Sequence, residues 1–181
     1  DIFAGSPVHH PVLISLGTAI GEYKLPQNLF CELLEARSFD LQPDPVSDID
    51  QLEVNSLATV GALNELMAVV LGLGDLPEGQ RGKTRNAVRH AGAAWALSAL
   101  LQSDPATDGI AGAITDMVRR HVSEARRLAT AIPKQMLSVM LSAFLAEERL
   151  RRFEKNPHRK GSRPGVGHLF RFYRKVLGRS F

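Results

Sequence analysis

The residues with chemical potential in this chain are spaced aspartates, a Gly-Lys-Thr triplet, a histidine with a nearby glutamate, and one cysteine. Asp40, Asp44 and Asp48 stand four residues apart, the spacing at which paired aspartates on a helix hold Mg²⁺ ions that bridge a diphosphate. Pro43 and Pro45 interrupt the series, so these aspartates cannot share one rigid helical face and are read as loop and helix-start residues. Gly82-Lys83-Thr84 has the ending of a phosphate-binding loop, but Pro77 occupies the place of that motif's first glycine. Its flanks are also helical rather than strand-then-helix, which excludes nucleotide hydrolysis. Arg81, Lys83, Arg85 and Arg89 are read as a solvated helix start in preference to an anion site. His121 and Glu124 have the spacing of half a metal site, but no second His-x-x-Glu or Glu-x-x-His pair completes it. His121, beside Val118 and Val122, is expected to be a histidine at the edge of the core. Cys31 lacks the sequence signature of a nucleophile and is expected to pack on an apolar helix face.

These residues need elements to position them, and the apolar pattern supplies helices nearly throughout. A first helix fits residues 11–23, with Val12, Leu13, Leu16, Ala19 and Ile20 on one side, and a second fits 27–38 with Leu29, Phe30, Leu33 and Leu34. Two prolines make Leu41 to Pro45 a loop. Ser47 and Asp50 then form an S-x-x-D start signal for a long helix to about Leu73, ended by Gly72, Gly74 and Pro77. Further helices fit 84–102, the stretch after Pro105 to about Ala131, and Pro133 to Phe153. Residues 155–165 read as a basic loop, and Val166 to Leu177 as an amphipathic terminal helix with Arg171, Arg174 and Lys175 opposite its apolar side. No run of alternating strand residues and no internal repeat is visible. The predicted fold is all-α.

With 181 residues and 44% hydrophobic composition, the chain suits one domain, 1–181, with the basic loop and terminal helix of 155–181 inside it. A single cysteine excludes an intramolecular disulfide framework and fits a reducing compartment. No stretch reaches the roughly 18 uncharged apolar residues of a membrane span. The longest candidate, Leu57 to Leu73, carries Asn64 and Glu65. Val12 to Ile20 is preceded by histidines instead of a basic segment, so no secretory leader is expected. The net charge of +3 conceals a split: residues 1–80 hold 12 acids against two bases, a net of −10, and residues 81–181 hold 20 bases against seven acids, a net of +13. Such polarity marks either two halves packed on each other or a surface that meets an anionic partner. Nucleic acid is the weakest such partner, since the basic segment lacks a recognised module.

Several segments in order carry a resemblance. Leu33-Leu-Glu-Ala-Arg-Ser-Phe-Asp-Leu41 with the Asp44-Pro45 turn, and Thr59-Val-Gly-Ala-Leu63 with its run to Gly72, resemble the central region of the squalene/phytoene synthase family. Arg37, Asp40, Thr59 and Gly61 are the family-matching structural positions. His10-Pro-Val, Arg89-His-Ala-Gly-Ala-Ala-Trp-Ala-Leu97 and Leu169-Phe-Arg-Phe-Tyr-Arg-Lys175 are similar to the branch represented by the mitochondrial complex I assembly factor and its bacterial relatives. The resemblance covers roughly residues 8–177.

It implies an isoprenoid-synthase-like helical bundle whose active members condense two prenyl diphosphates head to head, using two aspartate-rich helices to hold Mg²⁺. The first aspartate motif would fall upstream of Asp1. The second would fall near Ala91–Ser103, yet no acid occurs between Gly79 and Ser103. No catalytic or metal-binding residue can then be assigned, and no cofactor is expected. The implied protein is a catalytically degenerate relative acting as assembly factor, scaffold or accessory subunit of a respiratory complex, on the matrix side of the mitochondrial inner membrane or in a bacterial cytoplasm. Arg159, Lys160, Arg163, Arg171, Arg174 and Lys175 are the expected contacts for an acidic protein partner or an anionic membrane surface. The alternatives are a Mg²⁺-dependent prenyl transferase and a non-catalytic prenyl-lipid binder.

Overall fold

A computed structural model describes residues 2–5, 9–38, 48–103 and 109–156. Asp40, Asp44, Ser47, the six cations expected to meet a partner, and the amphipathic segment 166–177 lie outside the described residues. Among the described residues the fold is all helical, as the periodicity predicts, and no helix is long and apolar enough to cross a membrane.

Helix α1, Pro11–Tyr23, begins at a proline whose fixed φ suits the first helical position, and the His10 ring caps it by accepting from the Val12 amide. It ends at Lys24 in the left-handed conformation. Its inward face is narrower than expected. Leu16, Ala19 and Ile20 are half-buried, whereas Val12 is 65% exposed and Leu13 is also in solvent. Helix α2, Gln27–Arg37, buries Leu29 and leaves Leu34 73% exposed. Cys31 is exposed too, which corrects the expectation that it packs. The short N-terminal turn rests on this pair through an edge-to-face contact of Phe3 with Phe30 at 5.3 Å.

The run predicted as one long helix is two, α3 (Ile49–Ser56) and α4 (Ala62–Val70), joined by a π-helical turn at Leu57–Gly61. Asp48, not Ser47, supplies the described cap, its Oδ1 accepting from the Gln51 amide at 3.1 Å. Inside the π turn Thr59 Oγ1 donates to the Asn55 carbonyl at 2.7 Å, which competes with the regular ladder.

Helix α5, Glu78–Ser103, starts six residues earlier than the pattern indicates. The Pro77 carbonyl accepts from both Gln80 and Arg81, and Glu78 sits in the first turn where the helix dipole favours an acid. Thr84 is fully buried inside this helix, which removes the last element of a phosphate loop. At about 1.5 Å per residue α5 spans the whole bundle, and α3, α4, α6 (Ala111–Leu128) and α7 (Leu141–Lys155) pack around it. Helix α7 begins at Leu141 instead of Pro133. The intervening stretch forms i to i+3 bonds, Met136 to Pro133 and Val139 to Met136 among them. That tighter winding stacks Met136 and Val139 on one side, where both are buried.

The interior has two main apolar clusters along α5. Leu97, Leu101 and Ala94 meet Leu52, Ile114, Val118 and Leu150, and Ala87, Val88 and Ala91 meet Ala68, Leu73, Met136 and Met140. The closest approach is between α5 and the π turn. A Cβ on Gly92 would lie 2.7 Å from the Val60 carbonyl carbon and 2.9 Å from Gly61 Cα, so only glycine fits at this crossing.

Candidate functional site

That crossing sets two polar clusters on consecutive residues of α5. The first surrounds Arg89. Its guanidinium donates through Nη1 to Glu65 Oε2 at 3.0 Å and to Glu32 Oε2 at 3.1 Å, and through Nη2 to Glu32 Oε1. Arg85 Nε adds a contact to the other oxygen of Glu65 at 2.9 Å. The Glu65 side chain is only 7% exposed, and Arg89 is 21% exposed. Burial works to lower the Arg89 pKa, but the two carboxylates outweigh it and hold the group above its ordinary value. Next to them, Asn64 Nδ2 donates to the Val88 carbonyl at 3.0 Å and to Ser142 Oγ at 2.8 Å, tying α4 to α5 and α7. Arg85 and Arg89 are thus interhelical ties, not a solvated helix start.

The second cluster turns on His90. Its Nδ1 lies 2.8 Å from Nδ1 of His121, which is 1% exposed, and His121 Nε2 lies 2.9 Å from Glu53 Oε1 with the oxygen off the N–H axis. Arg120 Nη2 holds the other Glu53 oxygen at 2.5 Å. Burial lowers the pKa of both histidines, and for His121 the neighbouring ring adds to it against the pull of Glu53. Two neutral rings facing through the same nitrogen need one donor and one acceptor. Glu53 favours the proton on His121 Nε2, so His90 Nδ1–H donates to the bare Nδ1 of His121. His121 is buried as expected, but the pairing with Glu124 does not form. Glu124 pairs instead with Arg127 at 2.7 Å, and this hydrogen bond holds its carboxyl below the usual range.

Of the family-matching positions, Thr59 and Gly61 come together in the buried π turn against α5. Arg37 is the exposed last residue of α2, and Asp40 lies outside the described residues. Sequence reasoning missed the partners Glu32, Glu53 and Glu65, which belong to helices whose apolar periodicity drew the reading. The visible signal was the Arg89-His90 pair at the head of an Ala-rich helical segment, since a helix that half-buries two such groups in succession requires acceptors from its neighbours. A groove of about 360 Å³ between α6 and α7 is lined by Arg119, Arg126, Glu147 and Glu154 among others. Arg119–Glu154 and Arg126–Glu147 ion pairs, each at 2.5 Å, bridge the two helices there.

Carboxylates held by arginine or imidazole build helix contacts and do not offer the open oxygen set that Mg²⁺ takes. Among the described residues no group of three histidine, cysteine, aspartate or glutamate side chains is placed to hold a metal ion.

Compared with known proteins, residues 1–106 match the family model described as squalene/phytoene synthase. No curated protein and no solved structure matches the chain. The match runs over more than half of the 181 residues, takes in α1 to α5, and agrees with the all-helical bundle seen here. The chain belongs to the squalene/phytoene synthase family.

Proposed function

We propose that this protein is a non-catalytic member of its family, acting as an assembly factor, scaffold or accessory subunit of a mitochondrial or bacterial respiratory complex. The observation that carries the reading is the state of α5. From Ala87 to Leu101 its buried side chains are Ala, Val and Leu together with Ser98, packed against the neighbouring helices, and no acid occurs between Gly79 and Ser103. Glu32, Glu53 and Glu65, the carboxylates of the two polar clusters, are committed to Arg85, Arg89, Arg120 and His121. The described residues therefore do not fit the Mg²⁺-diphosphate chemistry of the active synthases.

The similarity of Arg89-His-Ala-Gly-Ala-Ala-Trp to the complex I assembly factor branch supports the choice of a respiratory complex, and with it the matrix side of the inner membrane or a bacterial cytoplasm. Arg159, Lys160, Arg163, Arg171, Arg174 and Lys175 are the proposed contacts for an acidic partner or anionic membrane. Family membership itself favours a second reading, a Mg²⁺-dependent prenyl transferase completed by an upstream aspartate motif. Incubation of the full-length protein with farnesyl or geranylgeranyl diphosphate and Mg²⁺ separates the two. Turnover overturns the non-catalytic reading. Its absence, with loss of respiratory-complex association when the six cations are reversed in charge, upholds it.

A further inference from the structure

Helix α7 buries residues on the side it turns away from the core. Its core side chains, Ala143, Ala146 and Leu150, lie together at about 100° per residue, and Glu147 and Glu154 face α6. Phe144 and Glu148, four residues apart, form a separate stripe about 150° away from the core side chains. A stripe so placed belongs in water. Phe144 is nonetheless only 7% exposed and Glu148 5%, while Leu145 and Arg151 on the two flanks are exposed. Among the described residues, none of the apolar clusters of the bundle takes in Phe144. Arg151 pairs with Glu148, but its own side chain is 49% exposed and does not by itself shut the carboxylate from water. Phe144, Glu148 and the next stripe residue, Arg152, each make a contact beyond these.

The cover comes from the same chain, because a single copy buries both side chains. Residues 39–47 are taken up in joining α2 to α3, and 104–108 in joining α5 to α6. Residues 157–181 follow α7 itself. Within them, 166–177 carries Leu169, Phe170, Phe172, Tyr173, Val176 and Leu177 on one side in sequence, a match for a buried phenylalanine. Ten residues, 156–165, stand between, with Gly161, Pro164 and Gly165 among them. That is ample for a reversal, since packed helices are commonly joined by about two to eight. The lengths also agree. At about 1.5 Å per residue, twelve helical residues measure about 18 Å, against about 17 Å along α7 from Phe144 to Lys155.

We infer that the outer stripe of α7 is the docking surface for residues 166–177, whose apolar side closes over Phe144 as the chain doubles back. Arg171, Arg174 and Lys175, opposite that side in sequence, then form an outward cationic face. The short link holds the segment at high effective concentration, so docking needs no second molecule. The inference goes beyond the proposed scaffold role and does not depend on it, and it gives three of the six proposed contact cations a fixed direction.

Cys31 is the chain's single cysteine, so the full-length protein with Cys31→Ser and Phe144→Cys carries one thiol, set on the stripe. Its reaction with a thiol reagent is expected to be at least about tenfold slower in the native state than in denaturant. Adding Phe172→Asp and Tyr173→Asp puts charge on the apolar side of the segment and brings the rate to within a few-fold of the denatured one. Arg171→Glu with Arg174→Glu, on the opposite side, leaves the protection within about twofold. A thiol introduced by Ala146→Cys, on the core side of α7, stays protected when the same aspartates are present, which shows that only the stripe has opened. The docking is overturned if the Phe144→Cys thiol reacts freely without the aspartates, or if they leave its protection intact. It is equally overturned if protection falls on dilution, the sign of a second copy as the cover, or if the Ala146→Cys thiol opens along with the stripe.

Discussion

His90 and His121 meet through the same ring atom, Nδ1 to Nδ1 at 2.8 Å, within the interface of α5 with α6. The arrangement holds only while at least one ring is neutral, because two imidazoliums would face each other with donors alone. Glu53, Arg120, Glu124 and Arg127 are the charged groups around it, and the acids only partly offset the effect of burial.

Acidification should therefore loosen this interface. Both histidines have folded-state pKa values below their ordinary value of about 6.5, so near and below that pH the unfolded chain binds more protons than the folded one. The stability they contribute is complete above 6.5 and is lost as pH falls. The unfolding free energy from urea titration should drop between pH 7.5 and pH 5.5, by no more than about 1.4 kcal/mol per pH unit for each proton taken up. His90→Gln, tested in the same series, should flatten the dependence. An equal slope in native and variant protein would refute the assignment.

The glycines of α5 should respond in opposite directions to one added methyl group. Gly92→Ala drives a Cβ into the Val60 carbonyl and Gly61, where backbone must move, and should cost about 1–3 kcal/mol or more. Gly82→Ala meets no atom within 4 Å and should stabilise the helix by about 0.5–1 kcal/mol. Thermal midpoints of the two variants, measured side by side, check both signs.

Removing Arg89 should destabilise the fold through the acids it leaves behind. Arg89→Met deprives Glu32 of its guanidinium and leaves the buried Glu65 with Arg85 alone, at a cost of about 3 kcal/mol, the low end for a broken buried pair. Adding Glu65→Gln removes the stranded charge and should recover part of that loss. A double-mutant cycle by denaturant titration gives the coupling, and strict additivity would argue against the contact.

Cys31 should behave as a surface thiol. Its exposure predicts that about one equivalent of a thiol reagent reacts in the native state, within a few-fold of the rate in denaturant. A thiol that reacts only after unfolding would contradict its placement on α2.

The helices were legible because turns of apolar residues recur at 3.6-residue spacing, and α1 and α2 fall where that pattern puts them. What escaped was anything decided between helices. Periodicity cannot register the π turn at Leu57–Gly61, since five ordinary residues there carry no local signal and the break is set by packing against Gly92. The start of α5 was placed at residue 84, whereas the Pro77 carbonyl and Glu78 nucleate the helix six residues earlier. His121 was recognised as a core residue, but its partners come from residues 53 and 90, a pairing that a scan for ligands three or four positions away does not test.

The π turn also fixes the phase between two halves of one rod. A π-helical turn is an α-helix with one residue too many, and a single residue corresponds to about 100° of rotation. Deleting one residue from Leu57–Gly61 would let α3 and α4 run on as one regular helix. Everything beyond would turn by that angle, carrying Asn64 away from Val88 and Glu65 away from Arg85 and Arg89, while Glu53 kept its place beside His121. One residue of chain length thus decides whether both polar clusters can be satisfied by the same α5.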